Sequence, residues 1–242
     1  RYDSVYRDPI IGTYRGYTVA SMGPPSSGGP LIIQMLNMLE NFDVSSMERN
    51  STQFVHMLTE IQRLAYADRA IHLGDPDFYP SPIPMLVSKE YAKKRLELVS
   101  MDKATPSSEI AAGTTIPESM ETTHYSAMDK FGNTVGITTT INLSYGNKKI
   151  VDGAGFLLNN EMDDFATSPG VQNAFGLIGY EANSIKPAKR PLSSMSPTIV
   201  LDPEGNSLMT VGAAGGSRII TAVLQVIISV VDHNLDIQDA IN

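Results

Sequence analysis

The sequence contains no cysteine and no tryptophan, and only four histidines among its 242 residues. Without cysteine the chain can form no disulfide, no zinc–thiolate site and no cysteine nucleophile. His56 and His72 lie on one predicted helix at a separation that is not a metal-ligand spacing, so we expect no metal. The lack of tryptophan for stacking on sugars argues against a glycosidase, a class that also needs two separated carboxylates.

Positive charge is also scarce. The chain has 18 Lys and Arg against 26 Asp and Glu, which gives a net charge of −8. The longest basic run, Lys93-Lys94-Arg95, is accompanied by Glu90 and Glu97 on a predicted helix and is typical of a solvated helix face. Because the chain lacks a basic surface, we expect no nucleic-acid partner.

Long apolar runs are missing as well. The most apolar segment, residues 219–231, contains Thr221, Gln225 and Ser229 and is too short to cross about 30 Å of hydrocarbon. We therefore expect a buried helix and no membrane span in this chain. The chain begins Arg1-Tyr2-Asp3-Ser4, which resembles an internal cut, so the lack of a visible signal peptide says nothing about localisation.

Hydrophobic periodicity and turn signals predict a mixture of strands and helices, an α+β fold. The predicted elements are a strand at 17–21, a helix capped by Ser26-Ser27 with Pro30 in its first turn, a helix from Asn50-Ser51 to Gly74, a short helix at 89–98, a hairpin at 197–211, and helices beginning at Ser217 and Asn234. Residues 105–118 are rich in Pro, Ser and Thr and are typical of a linker.

A second predicted hairpin occupies residues 122–142. From Thr122 to Met128 successive side chains fall on alternate faces, and after the turn sequence Asp129-Lys130-Phe131-Gly132-Asn133 residues 134–142 are rich in β-branched residues and alternate again. If these five residues form the whole loop, Thr140 lies opposite Thr122, and His124 and Asn142 project from the same face. Threonine pairs are common across strands, so the pattern alone is also compatible with a simple polar ladder.

Six short stretches follow one another in a characteristic order. They are 24–29 (PPSSGG), 66–69 (YADR), 122–126 (TTHYS), 158–165 (LNNEMDDF), 189–197 (KRPLSSMSP) and 215–218 (GGSR). Together they resemble the γ-glutamyltransferase (γ-glutamyl transpeptidase) family of N-terminal-nucleophile hydrolases. The resemblance implies a four-layer α-β-β-α sandwich, present here as a fragment, with no cofactor and no metal.

The resemblance also implies a division of the chain. Residues 1–121 resemble the C-terminal part of a large subunit and residues 122–242 the N-terminal part of a small catalytic subunit, the two forming one structural domain. Autocatalytic cleavage is expected before Thr122. A threonine hydroxyl is a weak nucleophile unless a base takes its proton. Cleavage would give Thr122 an α-amine with a pKa of about 7.7–8.0, which can act as that base near neutral pH.

The remaining catalytic roles follow from the same resemblance. Thr140 would orient the Thr122 hydroxyl, and the amides of Gly215 and Gly216 would stabilise a developing oxyanion. Asn142, Glu161 and Asp164 would hold the α-ammonium group of a substrate, while Ser193 and Ser194 would bind its α-carboxylate. Acidic and amide oxygens suit an ammonium group and hydroxyl donors suit a carboxylate, so the chemistry is consistent.

Residues 167–185 resemble the lid loop of some family members, with Phe175 at the gating position that is often tyrosine. A lid favours small γ-glutamyl compounds such as glutathione. The implied activity is transfer of a γ-glutamyl group, through an ester of Thr122, to water or to an amino acid or peptide amine. The implied location is periplasmic or extracellular.

Two alternatives stay open. A related amide acylase of the cephalosporin or glutaryl type would share the fold, and an uncleaved, inactive relative would bind γ-glutamyl compounds without turnover.

Overall fold

The computed structural model describes residues 2–106, 109–110, 122–166, 168, 170–171 and 178–242. The strands are β1 (Ile10–Tyr14), β2 (Tyr17–Ser21), β3 (Thr122–Met128), β4 (Thr134–Thr140), β5 (Thr198–Leu201) and β6 (Ser207–Val211). The helices are α1 (Gly28–Leu39), α2 (Thr52–His72), α3 (Ile83–Leu86), α4 (Lys89–Leu96), α5 (Arg218–Val231) and α6 (Ile237–Ile241). The predicted α+β class is confirmed.

Four strands form an antiparallel sheet in the order β1-β2-β5-β6, while β3 and β4 form a separate two-stranded sheet. In the larger sheet β2 pairs with β5, so strands from both sides of residue 121 share one sheet. That pairing is compatible with one structural domain, but the proposed subunit boundary stays a prediction because Glu121 lies outside the described residues.

The helices cover one face of the four-stranded sheet. Helix α1 packs against β1, β2, α2 and α5, and every one of its residues is buried. Alternate residues of the sheet point into the same core as the helices; they include Tyr14, Val19, Val200, Met209 and Val211. The period-two alternation of the strands thus supplies one apolar face, which is the physical origin of the layer. Among the described helices, none is both long enough and apolar enough to cross a membrane.

The β3–β4 hairpin lies on the opposite face of the larger sheet, next to β5 and β6. A Cβ atom at Gly136 would lie 2.7 Å from Thr210 Oγ1, and one at Gly212 would overlap the ring of His124. The two sheets can therefore approach only because glycine occupies these positions. The described residues give the succession helices, sheet, second sheet, which is the order expected of an α-β-β-α sandwich.

The predicted register of the hairpin is confirmed. Thr122 pairs with Thr140 and Met128 with Thr134, so residues 129–133 form the whole loop. Asp129 holds that loop closed: Oδ1 accepts hydrogen bonds from the backbone N–H groups of Phe131 and Asn133. An aspartate that bonds backbone groups further along the chain is a typical turn device.

Three local features differ from the sequence predictions, the first being that the short helix α3 was not predicted. Strand β1 was not predicted; it joins β2 through the two-residue turn Arg15-Gly16, in which both residues have positive φ. The Ser27 side chain makes no helix-capping hydrogen bond. Instead, Ser27 Oγ donates to the carbonyl oxygen of Ser193, so a residue expected to act locally serves a contact between distant segments.

Candidate active site

Thr122 and Thr140 face each other at the open end of the hairpin. Thr122 Oγ1 donates to Thr140 Oγ1 over 3.3 Å, and the backbone N–H of Asn142 donates to the same Thr140 oxygen over 2.9 Å. Both threonines are half-buried. Thr140 Oγ1 thus accepts from both the Thr122 hydroxyl and the backbone of Asn142, while its role in orienting the nucleophile stays a prediction.

His124 follows Thr122 on the same face of the hairpin. Its Nδ1 lies 2.8 Å from Thr138 Oγ1 and its Nε2 lies 3.0 Å from Ser126 Oγ. Burial lowers the pKa of His124 below its ordinary value, which favours the neutral ring. A neutral histidine between two hydroxyls stabilises the hairpin, and among the residues that the structure describes no carboxylate pairs with it as in a serine-hydrolase triad.

Gly215 and Gly216 form the turn before α5. Their φ angles are +119° and +57°, values that a residue with a side chain rarely adopts. Their carbonyl oxygens accept from the N–H groups of Arg218 and Ile219, so the N–H groups of the same peptide units, those of Gly216 and Ser217, point away from the helix. Tyr66 Oη donates to the carbonyl oxygen of Ser217 over 2.5 Å and ties this turn to α2.

Asn142 connects the hairpin to the acidic motif. It is 4% exposed and has a φ of +75°, a conformation that asparagine tolerates better than most residues. Its Nδ2 donates to the carbonyl oxygen of Asn160, and the side chain of Asn160 accepts from the N–H of Leu143. These reciprocal contacts place the residue before Glu161 beside the end of β4.

Glu161 and Asp164 lie on one short 3-10 helix, Glu161–Asp164. Burial raises the pKa of Asp164 above its ordinary value; the Glu161 carboxyl adds to the rise and the positive charge of Arg69 opposes it. Burial also raises the pKa of Glu161. A pair of this kind tends to keep a proton when empty and would ionise fully beside a bound cation.

Ser193 and Ser194 lie on the segment that follows Arg190-Pro191-Leu192. Ser193 Oγ accepts from the N–H of Met195 over 3.0 Å, and Ser194 Oγ accepts from Arg69 Nη2 over 3.4 Å. Both partners can only donate, and within the described chain these two hydroxyls make no other hydrogen bond. Each serine therefore keeps its own proton to donate to an anionic group such as a carboxylate.

Three residues that support the site were given no role there by the sequence analysis: Arg69, Ser27 and Asn183. Asn183 is 5% exposed; its Nδ2 donates to the carbonyl oxygen of Asp164 and its Oδ1 accepts from the N–H of Leu192. It thereby joins the acidic motif to the serine segment. Arg69 and Ser27 stood within recognised stretches, but only the fold reveals which distant residues they contact.

The predicted site residues thus fall into connected groups. Thr122, Thr140 and Asn142 form one group, and Glu161, Asp164, Ser193 and Ser194 are connected through Arg69, Ser27 and Asn183. The turn of Gly215 and Gly216 follows Gly212, which lies against His124 of the hairpin. Phe175 and most of the predicted lid lie outside the described residues. Over the described ranges, no three acidic or histidine side chains group as metal ligands would.

A protein-family model described as Gamma-glutamyltranspeptidase matches residues 1–242. The chain is 49% identical over 242 residues to a glutathione hydrolase proenzyme of Escherichia coli (strain K12), covering all of this chain and 42% of that protein. It is 39% identical over 235 residues to the Acylase ACY 1 proenzyme of Pseudomonas sp. (strain SE83), covering 97% of this chain and 40% of that protein. The chain thus spans less than half the length of these curated relatives.

Among solved structures, a cephalosporin acylase from Bacillus halodurans superposes with a TM-score of 0.74 at 22% identity, covering 95% of this chain and 38% of that one. At this identity the likeness shows a shared fold. It extends over both sheets and the helical layer, because almost the whole chain is covered.

Proposed function

The chain belongs to the γ-glutamyltranspeptidase family, and from this premise we propose that the protein containing it transfers γ-glutamyl groups by way of an ester on Thr122. The donors would be glutathione and other small γ-glutamyl compounds, and the acceptors water or the amine of an amino acid or peptide. The two subunits would come from one precursor, as the word proenzyme in the relatives' names suggests. The resemblance favours a periplasmic or extracellular location.

One observation carries the proposal: a continuous chain of hydrogen bonds connects the candidate nucleophile to the acidic motif. Thr122 bonds Thr140, whose oxygen accepts from Asn142, whose side chain in turn bonds the residue before Glu161. The charge of Arg69 lowers the pKa of Asp164, and its Nη2 donates a hydrogen bond to Ser194 Oγ. The residues proposed to bind the ammonium and the carboxylate are thus connected to the hairpin that carries Thr122, which supports a substrate held by both charged ends.

The first step in the proposal is self-cleavage. Thr122 Oγ1 attacks the carbonyl carbon of Glu121; an O–C bond forms, the C–N bond to Thr122 breaks, and the displaced nitrogen takes the hydroxyl proton. Water then hydrolyses the resulting ester. The products are a carboxylate on Glu121 and a free α-amine on Thr122, which supplies the base that this neutral part of the site lacks.

In turnover, Thr122 Oγ1 would attack the γ-carbonyl carbon of the substrate while its proton passes to the α-amine. The N–H groups of Gly215 and Gly216 would stabilise the oxyanion that forms. The leaving amine takes the proton from the α-ammonium group, and the γ-glutamyl ester remains on Thr122. Water or an acceptor amine then attacks the ester and restores the hydroxyl.

An amide acylase is the second candidate, because a relative that is 39% identical is named an acylase. A glutaryl group has no α-ammonium, so Glu161 and Asp164 would gain no cationic partner from such a substrate. Leaving a buried carboxylate without a partner costs several kcal/mol or keeps it protonated. The acidic pair therefore favours a γ-glutamyl substrate over a glutaryl one.

The decisive experiment is Thr122→Ala in the full-length protein. We expect the precursor to stay uncleaved by mass spectrometry of the denatured protein, and release of dye from γ-glutamyl p-nitroanilide to fall by at least about 10³-fold, because the nucleophile is gone. Wild-type protein should prefer this substrate to glutaryl p-nitroanilide.

Thr123→Ala is the matched control, since Thr123 is the next residue of the strand and points to its exposed face. It should cleave and turn over within a few-fold of wild type. A Thr122→Ala protein that is cleaved and active would refute the mechanism, and an uncleaved, inactive wild type would favour a protein that only binds γ-glutamyl compounds.

A further inference from the structure

We propose that Arg69 is a positioning residue for both charged ends of the substrate: it directs the Ser194 hydroxyl toward the carboxylate and supports the acidic pair that receives the ammonium. This inference rests on the proposed function, because it deepens the account of the same site. In this proposed role Arg69 does not contact the reacting hydroxyl or the scissile bond. It acts through Ser194 and Asp164.

The burial and geometry of Arg69 carry the inference. The residue lies in the second half of α2 and is 3% exposed. Its Nε donates to Ser27 Oγ over 2.9 Å, and its Nη2 donates to Ser194 Oγ over 3.4 Å. A buried guanidinium is expensive unless its donors are used, so the contacts it keeps are informative.

The direction of each hydrogen bond sets the state of the serine. A guanidinium has five N–H donors and no acceptor. Ser194 Oγ must therefore accept from Arg69, and its own proton points elsewhere. In the proposed complex that proton meets the substrate carboxylate, so Arg69 holds Ser194 as a donor before substrate arrives.

The second donor of Arg69 reaches the neighbouring serine indirectly. Ser27 Oγ accepts from Arg69 and donates to the carbonyl oxygen of Ser193 over 2.8 Å. The N–H of Ser27 donates to the same carbonyl oxygen over 2.9 Å. One side chain on α2 thereby anchors the backbone of Ser193 and the hydroxyl of Ser194.

The charge of Arg69 also acts on the other end of the site. The charged groups that influence Asp164 are Glu161 and Asp163 on its own 3-10 helix and Arg69 on α2. The two carboxyls raise the pKa of Asp164 and Arg69 lowers it. Removing Arg69 should leave the acidic pair protonated over a wider pH range and weaken its hold on an ammonium group.

Lysine would not replace this arginine fully. The Nε and Nη2 atoms reach two acceptors at once because the guanidinium is a planar fork, whereas a lysine ammonium is a single point of charge. Arg69→Lys should therefore keep much of the charge effect and lose one of the two hydrogen-bonded anchors.

The test uses the full-length, self-cleaved protein with γ-glutamyl p-nitroanilide. We expect Arg69→Met to raise KM by about 10- to 100-fold with kcat changed less than about 3-fold, the range for a lost hydrogen bond to a charged group. The acidic limb of the pH profile of kcat/KM should move to higher pH in Arg69→Met and less in Arg69→Lys. Arg63→Met, which removes an arginine of the same helix whose partners include Glu60 and Thr105, should leave KM and the pH profile unchanged.

A double-mutant cycle separates positioning from general damage. If Arg69 acts through Ser194, Arg69→Met combined with Ser194→Ala should raise KM little more than the larger single effect. Fully additive effects, or a fall in kcat at constant KM, would overturn the proposal. Should Arg69→Met fail to fold, Arg69→Lys decides: a wild-type KM together with a wild-type pH profile would refute the role.

Failure of the proposed function would look different. In that case wild-type protein itself would not act on γ-glutamyl p-nitroanilide. An active wild type whose Arg69 variants keep their KM would refute only the role of Arg69.

Discussion

On the hairpin side of the candidate site, Thr122 and Thr140 share a hydrogen bond between neutral hydroxyls, and the nearby His124 favours its neutral form. On the other side, the charge of the buried Arg69 acts on the half-buried Asp164. The first side lies on a two-stranded ladder whose outer face is exposed. The second is tied to α2 and to the segment that carries Ser194.

Under the proposed function, this contrast reflects two different chemical demands. A nucleophile that obtains its base by cleavage of its own peptide bond needs only a hydroxyl to orient it. Recognition of an amino acid's charged ends needs carboxylates and donors that are already desolvated and directed, because reorganising them during binding would cost affinity. We therefore expect changes on the hairpin side to act mainly on kcat and changes on the charged side mainly on KM.

The largest effect that would test this contrast is expected from Asp164→Asn. The amide keeps the shape of the carboxyl group but removes the charge that would meet the substrate ammonium. We expect kcat/KM for γ-glutamyl p-nitroanilide to fall by about 10²- to 10³-fold, mainly through KM, since losing one partner of a buried charge pair costs roughly 2–5 kcal/mol. Steady-state kinetics of the cleaved protein measures this.

Asp163→Asn is the matched control, because Asp163 lies beside Asp164 on the same 3-10 helix, has no assigned role in binding, and acts on the pKa of Asp164 less than Glu161 does. Its KM should stay within about 3-fold of wild type. An equal loss in both variants would mean that the net charge of the motif matters and not the placement of Asp164, and the contrast between the two sides would lose its basis.

A smaller effect is expected from Thr140→Val on the hairpin side. Valine keeps the β-branched shape but removes the oxygen that accepts from Thr122 Oγ1 and from the N–H of Asn142. We expect kcat to fall by about 10-fold with little change in KM, which corresponds to one net hydrogen bond of about 1–1.5 kcal/mol. Slower self-cleavage, followed by gel electrophoresis over time, should accompany it.

Thr139→Val provides the comparison, since Thr139 is the adjacent residue on the exposed face of the same strand. It should cleave and turn over as wild type does. If Thr140→Val raised KM instead of lowering kcat, the two sides of the site would not be functionally separate.

The sequence allowed the hairpin side to be predicted almost completely. Its register depends on alternation and on the turn at residues 129–133, both of which act between residues close in the chain. Thr122 and Thr140 are 18 residues apart, and the ladder fixes their contact once the loop length is known. The predicted roles of these residues in catalysis remain predictions.

For the charged side, the sequence predicted which residues belong to the site but not which of them contact one another. Arg69 and Ser194 are 125 residues apart, and Ser27 and Ser193 are 166 apart, so no local pattern could bring them together. Ser27 illustrates the limit: before a helix a serine is expected to cap, but here the distant carbonyl of Ser193 competes for its hydroxyl and prevails.

The missed strand β1 has the same kind of cause. Its turn places Arg15 at a φ of +52°, where glycine or asparagine is usual. The guanidinium of Arg15 donates to the carbonyl oxygens of Leu39, Glu40 and Phe42 and forms an ion pair with Asp232. These contacts with the end of α1 and with the residue after α5 stabilise a turn that the local sequence does not favour.

The smallest expected effect is on the stability of the protein. It tests the contrast between the hairpin side and the charged side without any substrate. The pKa of Asp164 is raised in the folded protein above its unfolded value of about 3.9, so the native state binds more protons than the unfolded state above that pH. The contribution of Asp164 to stability is therefore greatest at low pH and declines as pH rises toward the folded pKa.

Asp164→Asn removes this decline: between pH 4 and pH 8 we expect its free energy of unfolding to fall by about 1–2 kcal/mol less than that of wild type. Denaturant titrations at each pH measure this, with Asp163→Asn as control. A second wild-type series contains L-glutamate, whose ammonium group should offset the loss of stability at high pH. Glutarate, which has no ammonium group, should not offset it. If the free energy of unfolding depended on pH in the same way in wild type and Asp164→Asn, the acidic pair would not be desolvated. The contrast between the charged side and the hairpin side would then fail.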